Sequence, residues 1–216
     1  MAHLPLEACA WSSGDTIRAL GLLLHGYGDC ARNFLDCASY FHVPGILWVA
    51  LQAPYGFGQG TPLAEGRMWF DLFDDPDRQI EASLERIWES VQALREATGC
   101  PPSRVVYLGF SQGGCMALRA GLQAAPHEAP AAIVSLSGFL LRSHRLPVSQ
   151  DGPRQTPIFL GHGIRDQVVL PLWQYEVAEI LRTRGYDRVA VHRYATEHSL
   201  HPDEMKDVQT FLRGVL

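Results

Sequence analysis

The chain has 216 residues and carries 18 Lys+Arg against 23 Asp+Glu, a formal charge of −5. Apolar residues make up 47% of it. That content, with so small a net charge, excludes a disordered chain. The absence of a basic block argues against a nucleic-acid binder, whose affinity rests on neutralising phosphates. At about 150 residues per domain, and with about 70% of the unfolded surface buried at this length, one domain over residues 1–216 is expected.

The first residues, Met1-Ala2-His3-Leu4-Pro5-Leu6-Glu7, show neither a basic region nor an apolar run of secretory length. No apolar stretch approaches the roughly 18 residues of a membrane span. The five cysteines, Cys9, Cys30, Cys37, Cys100 and Cys115, are odd in number, irregularly spaced and free of any C-x-x-C pair. A disulfide framework and a zinc knuckle are therefore not expected. Buried inert thiols in a reducing, cytoplasmic compartment are the expectation.

Strand-like and helix-like segments alternate along the chain. A β-rich run at Ile17–Leu24 is followed by a helical segment at Ala31–Phe41 and a second run at Ile46–Leu51. The stretch from Ala53 to Gly66, with Pro54, Gly56, Gly58, Gly60 and Pro62, reads as a surface loop at the sheet edge. Ile80, Leu84, Ile87, Val91 and Leu94 then form a helical stripe, stopped by Gly99. Next come a run at Arg104–Gly109, a helix at Gln112–Ala125, and runs at Ala132–Leu136 and Pro157–Leu160. A stripe of Trp173, Val177, Ile180 and Leu181, a run at Arg188–Tyr194 and a last helix after Pro202 complete the chain. Most runs are continuously apolar, as in strands covered on both faces. The alternation predicts an α/β fold with a mostly parallel central sheet and helices on both faces.

The most informative stretch is Gly109-Phe110-Ser111-Gln112-Gly113-Gly114, a G-x-S-x-G pattern between a strand and a helix. In such an elbow the serine sits on a strained turn, and small residues two before and two after let the chain double back. Ser111 is the candidate nucleophile. The Gln112 N–H, at the start of the helix, is a candidate oxyanion donor. The first strand ends in His25-Gly26-Tyr27-Gly28, and the Tyr27 N–H is the candidate for the second donor. His25 lies far upstream of Ser111 and reads as a loop-bracing residue rather than a base.

In the chain order Ser…Asp…His, Asp166 emerges from the loop after the Pro157–Leu160 run and is the candidate carboxylate. Its competing role is a helix cap near Pro171. Three histidines follow it. His192 falls inside a strand-like run. His198 and His201 share the loop before the last helix, and position alone leaves both open as the base, with a slight preference for His198. His201, beside Pro202, also suits a helix entry.

These motifs together resemble the phospholipase/carboxylesterase family, which includes the acyl-protein thioesterases. The matching pieces are Leu24 to Asp29, Ala53-Pro54 followed by Trp69-Phe70-Asp71, Gly109 to Gly114, His162-Gly163 with Asp166, and His198-Ser199 followed by Glu204-Met205 and Asp207-Val208. The resemblance implies an α/β-hydrolase fold and a serine esterase without metal or cofactor, with Ser111, Asp166 and His198 as its triad. The spacing to Glu204-Met205 favours His198 over His201 within that pattern. Ile164 stands where the family often has an acidic residue, and Ala195-Thr196-Glu197 lacks the glycine usual before the catalytic histidine.

Serine-dependent hydrolysis of short- to medium-chain esters is therefore expected, by a monomer or homodimer acting on a small acyl ester or thioester. A thioesterase or lysophospholipase would use the same triad. A serine peptidase or a binding scaffold fits less well, since no extra peptide-selecting domain is seen and all three triad positions are filled. Trp69, Phe70, Phe73, Leu140 and Leu141 are the candidates for an acyl pocket, and for Trp69 and Phe70 a role as core anchors weighs equally.

Overall fold

The computed structural model describes residues 4–12, 14–56, 66–141 and 153–216. Its main sheet is built from β1 (Ala8–Ser12), β2 (Ala19–Leu24), β3 (Ile46–Leu51), β6 (Val105–Phe110), β7 (Ala132–Leu136), β8 (Ile158–Gly163) and β9 (Val189–Tyr194). The spatial order is β1-β3-β2-β6-β7-β8-β9, and every neighbouring pair is parallel except β1 with β3. A short hairpin of β4 (Tyr55–Gly56) and β5 (Arg67–Met68) lies apart from it.

Alternation within the apolar strands sends successive side chains to opposite faces. Leu20, Leu22 and Leu24 pack with Val49, Tyr107 and helices α3 (Pro76–Thr98) and α4 (Gln112–Leu122) on one face. Leu23 packs with Trp48, Ala50, Val106 and Leu108 on the other, under α1 (Ala31–Leu35), α2 (Ala38–Phe41) and α6 (Pro202–Val215). Helix α5 (Pro171–Thr183) covers β8 through Val177, Ala178 and Leu181, which meet Ile158 and Leu160. A sheet so covered explains why its strands read as unbroken apolar runs.

Several sequence boundaries shift. The helical stretch at 31–41 divides into α1 and α2, separated by Asp36 and Cys37. Helix α4 stops at Leu122, and β8 extends three residues beyond Leu160, so His162 and Gly163 belong to the strand. The antiparallel edge strand β1 and the β4–β5 hairpin were not expected. Gly58, Gly60 and Pro62 of the glycine-rich stretch lie outside the described residues, but β4 and β5 close its two ends together. All five cysteines are free, and Cys9, Cys30 and Cys37 are half-buried rather than buried.

The strand order reverses direction between β2 and β6. From β2 the chain goes outward to β3, then crosses back to β6 on the other side of β2. In open α/β sheets ligands gather at such a switch point, off the carboxyl ends of the two strands. Gly21 of β2 faces the Trp48 ring, and a Cβ there would fall 2.2 Å from Trp48 Cε3. Trp48 is 1% exposed and has nowhere to retreat. Gly21→Ala is expected to destabilise the protein by about 1–3 kcal/mol through overpacking. A urea unfolding midpoint equal to that of the wild type would contradict this packing.

Candidate active site

Ser111 follows the last residue of β6 and caps α4, with φ 54° and ψ −118°. A non-glycine residue in that region is strained, and surrounding contacts must hold it. Two glycines let the chain double back. A Cβ on Gly109 would lie 2.1 Å from the Gly113 carbonyl oxygen, and one on Gly113 would lie 1.9 Å from that of Leu24. The Ser111 N–H donates to the Leu136 carbonyl at 2.8 Å, and its carbonyl accepts the Cys115 N–H at 3.1 Å.

Two later loops bring polar groups to this serine. His198 Nε2 lies 2.9 Å from Ser111 Oγ, and His198 Nδ1 lies 2.6 Å from Asp166 Oδ2. The carboxylate requires a proton on Nδ1, so Nε2 accepts the serine hydroxyl hydrogen. The Phe110 ring packs against the imidazole at a centroid distance of 4.8 Å. The loop carrying His198 is zipped to the one carrying Asp166 by Ile164 N–H to Tyr194 O (2.9 Å) and Arg165 N–H to Thr196 O (3.0 Å). Gly163 permits this approach, since a Cβ there would sit 2.3 Å from the Glu197 carbonyl oxygen. Glu197 itself is exposed.

Asp166 is 2% exposed. Its Oδ1 accepts the N–H groups of Val168 and Val169, both at 2.9 Å. Burial pushes its pKa up, but the bonds from His198, Val169 and Val168 outweigh burial and hold it below the ordinary carboxylate value. His162 flanks the same carboxylate. Its Nε2–H donates to the Val169 carbonyl at 2.8 Å and lies 3.3 Å from Asp166 Oδ2, while its Nδ1 is buried without a partner. Burial lowers the His162 pKa and keeps the ring neutral.

The loop after β2 supplies the opposite wall. A Cβ on Gly26 would lie 3.6 Å from Ser111 Cβ, so Tyr27 follows directly beside the nucleophile candidate. His25 is fully buried and braces this loop: Nδ1 meets the Gly26 carbonyl at 2.8 Å and Nε2 accepts the Ala53 N–H at 3.1 Å. Desolvation lowers its pKa. Gln112, as the first residue of α4, has an N–H with no acceptor inside the helix.

Other candidates separate. His201 caps α6, its Nδ1 accepting the Asp203 N–H at 3.2 Å while Glu204 Oε2 accepts the His201 N–H at 3.3 Å. His192 stacks on Phe159 at 4.6 Å. Trp69 and Phe70 are fully buried and present no surface to an acyl chain, so they act as core anchors. Trp69 Nε1 donates to the His25 carbonyl at 2.9 Å, and Phe70 packs edge-on against Phe139. Phe73 is 95% exposed. Leu140 and Leu141 are partly buried against the helical face of the sheet.

Sequence reasoning missed several participants. The Gln112 side chain ties the Trp69–Phe70 segment to the elbow: Oε1 accepts the Trp69 N–H at 2.8 Å and Nε2 donates to the Phe70 carbonyl at 2.7 Å. Apolar side chains stand exposed around Asp166, namely Ile164, Val168, Leu170 and Leu172. Trp173 lies beside them, its ring edge-on to Phe139 at 5.6 Å. The apolar residues flanking Asp166 were visible in the sequence, but their exposure was not.

A strand, a serine elbow and a helix at the switch point of a mostly parallel sheet, met by an aspartate and a histidine from later loops, define an α/β-hydrolase. The chain belongs to the phospholipase/carboxylesterase family, whose pattern matches residues 9–216. It is 34% identical to acyl-protein thioesterase 1 of Emericella nidulans, over 90% of this chain and 89% of the relative. It is 31% identical to acyl-protein thioesterase 1 of Gibberella zeae, over 93% of this chain and 88% of the relative. Among solved structures it resembles esterase PE8, with a TM-score of 0.85, 27% identity, and 98% and 99% of the two chains covered. The protein is thus a hydrolase of the esterase/thioesterase family. No described helix is long and apolar enough to cross a membrane, and no group of three or more described His, Cys, Asp or Glu side chains is set to hold a metal.

Two variants test the framework of the site. Gln112→Ala leaves the buried Trp69 N–H and Phe70 carbonyl without partners, at about 1–3 kcal/mol each. Its unfolding free energy is expected to fall by about 2–6 kcal/mol in chemical denaturation; a loss below about 1 kcal/mol would show that these bonds are replaced by water. Glu204 is 2% exposed, and burial raises its carboxyl from the ordinary 4.5 to about 7. A raised folded-state pKa gives stability that is fully present below about pH 4.5 and lost as pH rises through about 7. Glu204→Gln keeps an acceptor for the His201 N–H but does not titrate. Its stability relative to wild type is expected to rise by about 1–3 kcal/mol between about pH 4.5 and about pH 8. A difference that stays flat across that range would contradict it.

Proposed function

We propose that this protein is a serine carboxylesterase that cleaves short- to medium-chain carboxylic esters through an acyl-enzyme. The observation that carries the reading is the continuous chain from Ser111 Oγ to His198 Nε2 (2.9 Å) and from His198 Nδ1 to Asp166 Oδ2 (2.6 Å). As Ser111 Oγ bonds to the acyl carbon, its proton passes to His198 Nε2. The Asp166 carboxylate holds the imidazole in this orientation and stabilises the imidazolium. The Tyr27 and Gln112 N–H groups receive the oxyanion, each worth about 100- to 1,000-fold in rate. His198 then protonates the departing oxygen, and a water activated at the same nitrogen releases the acid. The exposed apolar side chains around Asp166 suit an uncharged acyl chain. The free thiols fit a reducing, cytoplasmic setting.

A second reading is hydrolysis of acyl thioesters, favoured by the likeness to the fungal acyl-protein thioesterases. The same acyl-enzyme serves both, so the leaving group separates them.

Ser111→Ala is expected to lose fluorophosphonate labelling and to lower kcat/KM for p-nitrophenyl octanoate by about 10⁴-fold or more. His198→Ala should do nearly the same. His201→Ala should keep labelling and activity while losing about 1 kcal/mol of stability as a helix cap. Activity lost in His201→Ala and kept in His198→Ala would reverse the assignment of the base. Higher kcat/KM for octanoyl thioesters than for the matched oxygen esters would make the thioesterase reading the primary one.

A further inference from the structure

A cavity bounded by described residues lies far from Ser111. It holds about 820 Å³ at the opposite edge of the sheet, between the carboxyl ends of α3 and α4 and the first residues of β6. Val105 lines it, while Ser111 follows the other end of the same strand. At about 3.3 Å per residue the two sites are roughly 20 Å apart. The volume falls in the range of small-molecule sites.

Apolar side chains form part of its wall. Trp88, Val91, Val105 and Pro130 line it, and Trp88 Nε1 donates to the Ala120 carbonyl at 3.1 Å, which holds the indole in place. Several donors line it beside the carboxylates of Glu96 and Glu128. Gln123 Nε2 is buried with no hydrogen-bond partner, an expensive condition for an amide N–H. Tyr107, 4% exposed, lines the same space, and burial pushes its phenol up and keeps the hydroxyl protonated. Arg95 stands at the edge, with one amino group on Glu128 and its Nε on the Cys100 carbonyl at 3.4 Å. A guanidinium has five donors, so these two contacts leave several open. Both carboxylates of the lining are engaged by donors, Glu128 by Arg95 and Glu96 through Oε1, which accepts from Gln92 Nε2 at 3.0 Å.

We propose that this cavity is a second ligand site, which takes a carboxylate with an apolar body. The carboxylate oxygens accept from Gln123 Nε2, the Tyr107 hydroxyl and the remaining Arg95 donors, and the indole of Trp88 covers the apolar part. This assignment does not depend on the chemistry at Ser111.

The test uses the full chain labelled with 5-fluorotryptophan, titrated with octanoate and followed by fluorine NMR. The resonance missing from Trp88→Phe identifies the reporter in the cavity, and that of Trp173 reports on the Ser111 side. Octanoate is expected to shift the Trp88 resonance saturably. The double variant Tyr107→Phe/Gln123→Leu is expected to weaken this binding about tenfold, with ester hydrolysis unchanged. Ala124→Phe, which fills the cavity wall without removing a polar group, should also block it. Octylamine, a donor at its polar end, should not shift Trp88. A Trp88 resonance that stays still while Trp173 moves, binding unchanged in the double variant, or octylamine binding as tightly as octanoate would each overturn the proposal.

Discussion

The close approach of α4 to the end of β2 is the contact on which the site depends. Gly113 lies so near the Leu24 carbonyl that no side chain fits between them. That contact sets Ser111 at positive φ and lifts its hydroxyl above the sheet edge. It also joins the two strands on either side of the reversal in strand order. The loop from His25 to Gly28 and the elbow at Ser111 are therefore neighbours because of topology, not because of their distance in sequence. A strained serine persists only where its surroundings over-determine it. Here Leu136, Cys115 and the Gln112 side chain provide that constraint through hydrogen bonds to the backbone on three sides.

Burial and polarity are balanced around this elbow by giving each buried charge or ring a defined partner. Asp166 lies inside the protein yet stays ionised, because two backbone N–H groups and His198 compensate for the water it has lost. His25 and His162 follow the opposite course and are kept neutral by burial. Neutral rings can bridge carbonyls and amides without adding positive charge beside Asp166. Glu204, buried at the entry to α6, has its carboxyl raised to about 7 by the same loss of water, with only the His201 N–H to oppose it.

Much of this was legible in the sequence where local pattern and chemistry agree. The core strands appear as apolar runs because both faces of the sheet are covered. The Gly109-to-Gly114 stretch implies a tight elbow because only small residues fit there. Chain order singled out Ser111 and Asp166, and it left His198 and His201 unresolved. The distinction between those two lies in backbone direction: His201 faces the free N–H groups of α6, while His198 faces back over the sheet edge. Strand β1 was not legible, because Ala8–Ser12 is largely exposed and pairs on one side alone, so it carries no long apolar run. The two roles open to Trp69 and Phe70, acyl pocket or core anchor, could not be separated for a related reason. An aromatic pair such as Trp69-Phe70 shows that something large is to be buried, but not what will bury it. That depended on Gln112, 43 residues away in sequence from Trp69.

The Gln112 side chain shows how one residue links stability to chemistry. Its backbone N–H is at the mouth of α4, while its amide is spent on the Trp69 and Phe70 backbone below. Trp69 in turn donates through its indole to the His25 carbonyl, and Ser83 donates to the Trp69 carbonyl at 2.6 Å. The chain of bonds runs from α3 through Trp69 to both loops that face the substrate side of Ser111. Groups set around a reacting centre are useful in proportion to how little they must reorganise. Anchoring the His25 loop and the Ser111 elbow to one buried tryptophan makes their positions a property of the core.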